Sequence, residues 1–324
     1  MTRPASQTDI PPLDRGMVMQ AVRICEAAAI AAWALVGRGD EKEADQAAVD
    51  AMRRALNELE IDGRIVIGEG ERDEAPMLFI GEKVGSGRGP RIDIALDPLE
   101  GTTLTAKAMP GALAVMAWAP EGSLLNAPDT YMDKIACGPG YPEGVIDLDA
   151  SPGGNVEALA KAKGVDASQI GVCVLDRPRH AAIIAELRGV GARVLLITDG
   201  DIAGVINTAD PETGFDLYIG QGGAPEGVLA CAALKCVGGQ FQGRLVFRNA
   251  EEKARAAKHG VADLSRKYGL HEMVRAEAIF AASGVTSGAL LDGVYVSDGF
   301  VNVHSLVMNS STAARRKIRL RRRL

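Results

Sequence analysis

From residue 155 to residue 237, short apolar runs alternate with helical segments. Residues 172–175, 193–197 and 217–219 have the Val, Ile and Leu content of strands, and 155–163, 180–187 and 226–235 read as helices between or after them. That alternation confines the second half to a layered α/β arrangement, in which each strand's apolar faces must be covered by helices. The first half has a different rhythm. An Ala-rich helix over 16–36 is stopped by Gly37-Arg38-Gly39, and a second helix over 45–59 carries Val49, Met52, Leu56 and Leu59 on one buried stripe. Strands are then predicted at 64–67, 91–96 and 113–119. The glycine- and proline-rich stretch 138–154 is the expected boundary, giving an arm over 1–15 with Pro4, Pro11 and Pro12, an α+β domain over 16–150 and an α/β domain over 151–324.

The core must be aliphatic, because 47% of the residues are hydrophobic but only 4% are aromatic, and 38 glycines allow many tight turns. A net charge of -6 disfavours general affinity for nucleic acid or anionic membranes, yet leaves phosphorylated substrates open to local bases or metals. The five cysteines are scattered and odd in number, as expected of buried thiols in a reducing compartment. Cys231 and Cys236 have no second pair with which to complete a zinc site. The N-terminus has no secretory pattern and no apolar stretch approaches the ~20 residues needed to span a bilayer, so the expected location is cytoplasmic. Residues 315–324 carry seven basic side chains; Lys317, Arg319 and Arg321 alternate with Ile318 and Leu320, as in a charged edge strand running into a solvated tail.

Four places concentrate carboxylates. In Asp97-Pro98-Leu99-Glu100-Gly101-Thr102-Thr103 a strand reaches a turn in which Pro98 fixes φ and Gly101 relaxes it. Two acids, two hydroxyls and the Leu99 carbonyl are thereby gathered, a set of hard oxygens that suits Mg²⁺ or Mn²⁺ as well as it suits a solvated, self-capping turn. Gly68-Glu69-Gly70-Glu71 also follows a strand, and its glycines free Glu69 to point back over the strand ends. Gly222-Gly223-Ala224-Pro225-Glu226-Gly227 enters a helix with proline in its first turn; the turn can offer amides to a phosphate, and Glu226 can serve a metal or merely the helix dipole. Asp45 extends the inward stripe of its helix and requires a cation, a lysine or the helix's own N-terminus. Taken together, clustered acids would raise one another's pKa unless cations neutralise them, and two metal ions do so in the hydrolysis of phosphate monoesters.

At these residues the chain resembles the class II (GlpX-type) fructose-1,6-bisphosphatases of the inositol-monophosphatase-like, lithium-sensitive superfamily. The resemblance runs from Gly37-Arg38-Gly39-Asp40 to Leu291-Asp292-Gly293 and includes IVIGEGERDEAPML, DPLEGT, LNAPDTYMDK, RPRHAAIIAE, TDGD and GGAPEGV. It implies an α/β fold of alternating helix and sheet layers, an αβαβα sandwich, and removal of the 1-phosphate of fructose 1,6-bisphosphate. One metal is implied at Asp45 and Glu69, and a second at Asp97, Leu99, Glu100 and Glu226. It further implies that Glu100, Gly101 and Thr102 touch the substrate and that Thr102 orients the attacking water beside the catalytic acids Glu69 and Asp97. Tyr131, Arg177, Pro178 and Arg179 are implied to hold the substrate, with Asp199, Gly200, Asp201 and the backbone of Gly223; an arginine fork matches a retained phosphate. A homodimer or homotetramer acting on a small sugar bisphosphate, without nucleic-acid or membrane partners, is implied as well. His180 reads as a helix-start residue. Sedoheptulose 1,7-bisphosphate is the nearest alternative substrate, ahead of inositol phosphates or nucleotides, and an inactive scaffold with a basic tail is the reading from a different class.

Overall fold

A computed structural model describes Leu13 and residues 16–70, 77–258 and 260–324. The expected arm over 1–15, Leu13 apart, and Glu71 in the second acidic loop lie outside them.

Two helices open the chain. Helix α1 (Met17–Trp33) ends three residues before the expected position, in turns that lead to Gly37. Helix α2 (Glu41–Asn57) begins a turn earlier than its apolar stripe predicts, because Asp40 caps it by accepting from the Glu43 amide at 3.0 Å. Asp45 therefore sits in the second turn and not at the helix start. Strands β1 (Asp62–Ile67), β2 (Lys83–Val84), β3 (Arg91–Glu100) and β4 (Leu113–Pro120) follow, with the short helix α3 (Thr102–Ala106) between β3 and β4. All eight residues of β4 are buried, as its unbroken apolar run requires of a strand covered on both faces.

The chain then builds a second sheet from β5 (Tyr131–Cys137), β6 (Gly171–Leu175), β7 (Arg193–Ile197), β8 (Leu217–Gly223), β9 (Gln240–Val246) and β10 (Lys267–Gly269), in the order β10-β9-β5-β8-β6-β7. Helices α4 (Pro152–Lys163), α5 (Ala181–Gly189), α6 (Asp201–Asn207), α7 (Ala224–Val237), α8 (Ala250–Lys258) and α9 (Leu270–Met273) connect these strands. The last strands, β11 (Ile279–Gly284), β12 (Tyr295–Ser297), β13 (Phe300–Asn309) and β14 (Ala314–Arg323), return to the first sheet, whose order is β12-β13-β11-β4-β3-β1-β2 with β14 on the free side of β13. The change of sheet thus falls between Pro120 and Tyr131, upstream of the 138–154 stretch, and is reversed at Ile279. The basic C-terminal segment is an edge strand paired with β13 along its length, from Asn309 opposite Ala314 to Phe300 opposite Arg323.

Three apolar cores separate five layers. One lies between α1, α2 and the outer face of the first sheet, with Met52, Ile65, Ile94 and Trp118. The middle core holds α6 and α7 between the two sheets, where Val115, Phe280, Val228 and Tyr218 meet. The third packs α4 and α5 on the far face of the second sheet around Ile135, Val172 and Leu187. The order is helix, sheet, helix, sheet, helix, the αβαβα sandwich expected above. All five cysteines are buried and unpaired, in keeping with the apolar runs that carry them. Among the described residues no helix is long and apolar enough to cross a membrane.

Candidate active site

A cleft of about 510 Å³ opens where β1 and β3 end and where α3, α6 and α7 begin. It is lined by Asp45, Glu69, Asp97, Leu99, Glu100, Gly101 and Thr102 from the first sheet and its helices, and by Tyr131, Arg177, Arg179, Asp199, Asp201, Gly223 and Glu226 from the second. Residues separated by up to 181 positions thereby share one surface. Pro178 and Gly200 stand apart. Pro178 lies in a shallow depression with Ala181, Ile184 and Arg188, and Gly200, the left-handed N-cap of α6 (φ 83), lines a neighbouring cavity of about 310 Å³ behind the turn.

The local chemistry of each wall follows from its backbone. Strand β3 runs on through Asp97 and Pro98 to Glu100, where a turn beginning at Asp97 had been expected. The pairing with β4 shifts register between Asp97 and Glu100, a position at which a strand tolerates proline. The turn itself comes at Gly101, whose φ of 90 belongs to glycine and starts α3 with Thr102 as its first residue. Gly223 is required for a different reason: a Cβ there would come within 1.9 Å of Glu226 Oε2 and displace that carboxylate.

Among the described residues the acid wall has few bases. Desolvation, and then the charge of Asp45, pushes the Glu69 carboxyl up to about 8. Burial raises Asp45 too, with Glu69 as its neighbouring carboxyl, and among the described residues no lysine forms an ion pair with Asp45. Asp97 is driven well above the usual range by burial and by the charges of Glu69 and Glu226. Glu100 is likewise raised by burial, then by Asp201 and Asp97; its Oε1 accepts from the Ile202 amide at 3.1 Å. Glu226 is raised by burial and by Asp201, with Lys134 opposing. Glu100 Oε2 and Glu226 Oε2 are buried without a hydrogen-bond partner among the described residues. Leaving such oxygens unpaired costs roughly 1 to 3 kcal/mol each, more when charged, a cost that a bound cation would offset. Among the described residues no three acidic, His or Cys groups already converge on one point. The hard-oxygen donors, the orphaned carboxylate atoms and the mutual repulsion nonetheless fit divalent cations such as Mg²⁺ or Mn²⁺.

The opposite wall is basic and aromatic. Arg179 donates to the Gln221 carbonyl at 2.7 and 3.2 Å and lies 5.2 Å from the centre of the Tyr131 ring, which Arg248 approaches to 4.7 Å. Arg177 donates to the Asp176 carbonyl at 3.2 Å and is half-buried in the cleft lining. His180 starts α5 as expected. It is buried, with Nδ1 2.7 Å from the Leu175 carbonyl oxygen and Nε2 accepting from the Gln221 amide at 2.8 Å, so both ring nitrogens are committed to the scaffold.

Two residues near the site were missed from sequence. Asp129 lines the cleft two positions before Tyr131, and that proximity was the available signal. Lys134 lies on β5 only 1% exposed and pairs with Asp201; an isolated lysine gives no sequence sign that it points inward.

Residues 15–322 match the family of bacterial fructose-1,6-bisphosphatases that are glpX-encoded. The chain is 42% identical over 318 residues to fructose-1,6-bisphosphatase 1 class 2 of Escherichia coli (strain K12), covering 94% of each chain. It is also 42% identical over 312 residues to the D-fructose 1,6-bisphosphatase class 2/sedoheptulose 1,7-bisphosphatase of Synechococcus sp. (strain CC9605), covering 92% of this chain and 93% of that one. Among solved structures, the suppressor protein SuhB of Bartonella henselae aligns at 12% identity and a TM-score of 0.34 over 61% of this chain and 74% of its own. Inositol monophosphatase from Anabaena (Nostoc) sp. PCC 7120 aligns at 14% and 0.31 over 59% and 71%. With the sequence matches spanning nearly its whole length, the chain belongs to the glpX-encoded, class II family of fructose-1,6-bisphosphatases, which are metal-dependent phosphatases.

Proposed function

We propose that the cleft hydrolyses the 1-phosphate of fructose 1,6-bisphosphate, with Mg²⁺ or Mn²⁺ held at two positions. Asp45 and Glu69 form the first set of ligands; Asp97, the Leu99 carbonyl, Glu100 and Glu226 form the second. The observation that carries this reading is the pair of partnerless buried oxygens, Glu100 Oε2 and Glu226 Oε2, in an acid wall that faces two arginines across one cleft. When bound, such cations lower the pKa of water and neutralise charge on the phosphoryl and leaving oxygens.

Each side chain then has a task. The Thr102 hydroxyl, at the first position of α3, orients the attacking water by hydrogen bonding, beside Glu69 and Asp97. The water oxygen bonds to phosphorus as the bond from phosphorus to the C1 oxygen breaks; that oxygen departs and takes up a proton, and no phosphoenzyme forms. Arg177, Arg179 and Tyr131 grip the retained phosphate, and this remote binding energy aligns the reacting one. Asp199 and Asp201 accept hydrogen bonds from sugar hydroxyls, Gly223 lets its backbone approach the ligand, and Pro178 and Gly200 shape the loops that carry these groups. The name of the Synechococcus relative favours a second activity, on sedoheptulose 1,7-bisphosphate. A homodimer or homotetramer is the assembly the family implies, and light scattering on the eluting peak of a sizing column checks it.

The test is phosphate release from fructose 1,6-bisphosphate, sedoheptulose 1,7-bisphosphate, inositol 1-phosphate and a nucleotide bisphosphate. Hydrolysis of the sugar bisphosphates alone is expected. Activity confined to inositol or nucleotide substrates would overturn the role given to the arginines.

A further inference from the structure

The Lys134 ammonium is a buried cation within a site otherwise short of bases, and the proposed mechanism gives it no part. Its Nζ donates to Asp201 Oδ2 and, at 2.8 Å, to the Gly223 carbonyl; Lys134 is 1% and Asp201 7% exposed. The Tyr218 hydroxyl donates to the same Asp201 oxygen at 3.4 Å. Asp201 Oδ1 makes no hydrogen bond among the described residues, although Asp201 lines the cleft. One carboxylate oxygen is thus tethered twice and the other is left for a ligand. The packing around this pair is close: a Cβ on Gly222 would stand 2.2 Å from Asp201 Oδ2 and 3.0 Å from Lys134 Nζ, and one on Gly227 would stand 2.7 Å from Met132 Sδ and 3.3 Å from Lys134 Cδ. These glycines clear a channel through which a lysine on β5 reaches the start of α6.

We infer that Lys134 is a positioning residue for sugar recognition, fixing Asp201 so that its free oxygen meets a hydroxyl of the sugar bisphosphate. This rests on the reading of Asp201 as a sugar ligand. A buried ion pair adds little net stability but fixes geometry, and losing a partner that orients a ligand-binding group typically costs about 10- to 100-fold. The Gly223 carbonyl anchors the ammonium from the other side, so Asp201 is held against the backbone of the β8–α7 junction.

The experiment compares Lys134→Met, Asp201→Asn and the double variant in the metal-loaded enzyme, measuring KM and kcat for fructose 1,6-bisphosphate. The expected result is a KM raised about 10- to 100-fold in both single variants with kcat within about threefold. The double variant should have the KM of Asp201→Asn alone, because Lys134 reaches the sugar through that carboxylate. An unchanged KM in Lys134→Met beside a raised KM in Asp201→Asn overturns the proposal, as does a fall in kcat at unchanged KM. Should Lys134→Met not fold, the double variant, which buries no unpaired charge, decides: a KM tenfold above that of Asp201→Asn contradicts the inference. An unchanged KM in Asp201→Asn removes the sugar reading of Asp201, and the inference falls with it.

Discussion

Glu226 and Glu252 both stand in the first turn of a helix, α7 and α8, yet their surroundings are opposite. Glu252 accepts from Arg248 Nε and from the Arg248 amide, each at 2.7 Å, and lies 3.1 Å from the Thr130 hydroxyl; these hydrogen bonds hold its carboxyl below the usual range. Glu226 keeps one oxygen without any partner, and burial and the Asp201 charge hold its carboxyl above that range. Helix position is matched, and the supply of donors differs: Glu252 has three and Glu226 Oε2 has none among the described residues. The unsatisfied Glu226 oxygen is the gap that the proposed cation would fill, as Glu252 has no need of one.

Exchanging charge for amide at the two positions separates the roles. Glu226→Gln is expected to lower kcat/KM by at least about 100-fold, the loss of several kcal/mol of charge stabilisation, while the melting temperature holds or rises because a strained buried acid has gone. Glu252→Gln should do the reverse, costing about 1 to 3 kcal/mol in denaturant unfolding while each folded molecule keeps its kcat. Destabilisation by the first and inactivation by the second would break the comparison.

The same logic extends across the cleft. Arg177 is half-buried and makes a single hydrogen bond among the described residues, so Arg177→Met should change stability little and raise KM for the bisphosphate about 10-fold or more, as the loss of a charge-assisted contact of roughly 1.5 to 3 kcal/mol predicts. Steady-state kinetics beside thermal melts checks it.

The acid wall was legible in sequence because Gly68, Gly70, Gly101 and Pro98 mark backbone that carries its acids to strand ends, a signal local to a few residues. Its partners were not. Lys134 finds Asp201 across 67 positions, and a lysine inside Tyr131–Cys137 disguises that segment's strand character, so β5 went unpredicted. Strands β9, β11 and β13 were missed as well. Strand β11 is wholly buried between β4 and β13, pairings that follow from the return of the chain to a sheet it had left some 160 residues earlier and that no local pattern encodes. The arginines of β14 could be read as an edge because alternation is local. Their partners, Asp210 for Arg315 at 2.8 Å and Asp292 for Arg319 at 3.2 Å, could not.

A smaller effect tests whether a raised carboxyl by itself marks function. Glu26 on α1 is buried and pushed up from 4.5 to about 6, chiefly by desolvation, but lies away from the cleft with Ser305 and Arg322 near it. The folded carboxyl keeps its proton to higher pH than the unfolded one, so stability is lost as pH rises from about 4.5 through about 6. Glu26→Gln should therefore be more stable than the parent by roughly 1 to 2 kcal/mol at pH 8 and equal to it below pH 4, with catalysis unchanged. Unfolding curves at the two pH values decide this.

The most direct test of the central claim, that the unpartnered acids exist to hold divalent cations for phosphate release, is hydrolysis of fructose 1,6-bisphosphate after exhaustive chelation, then with Mg²⁺ or Mn²⁺ restored, beside Glu69→Ala. The account predicts no activity after chelation, recovery with metal, and no recovery in the variant. Full activity in the chelated enzyme, or in Glu69→Ala, would contradict it.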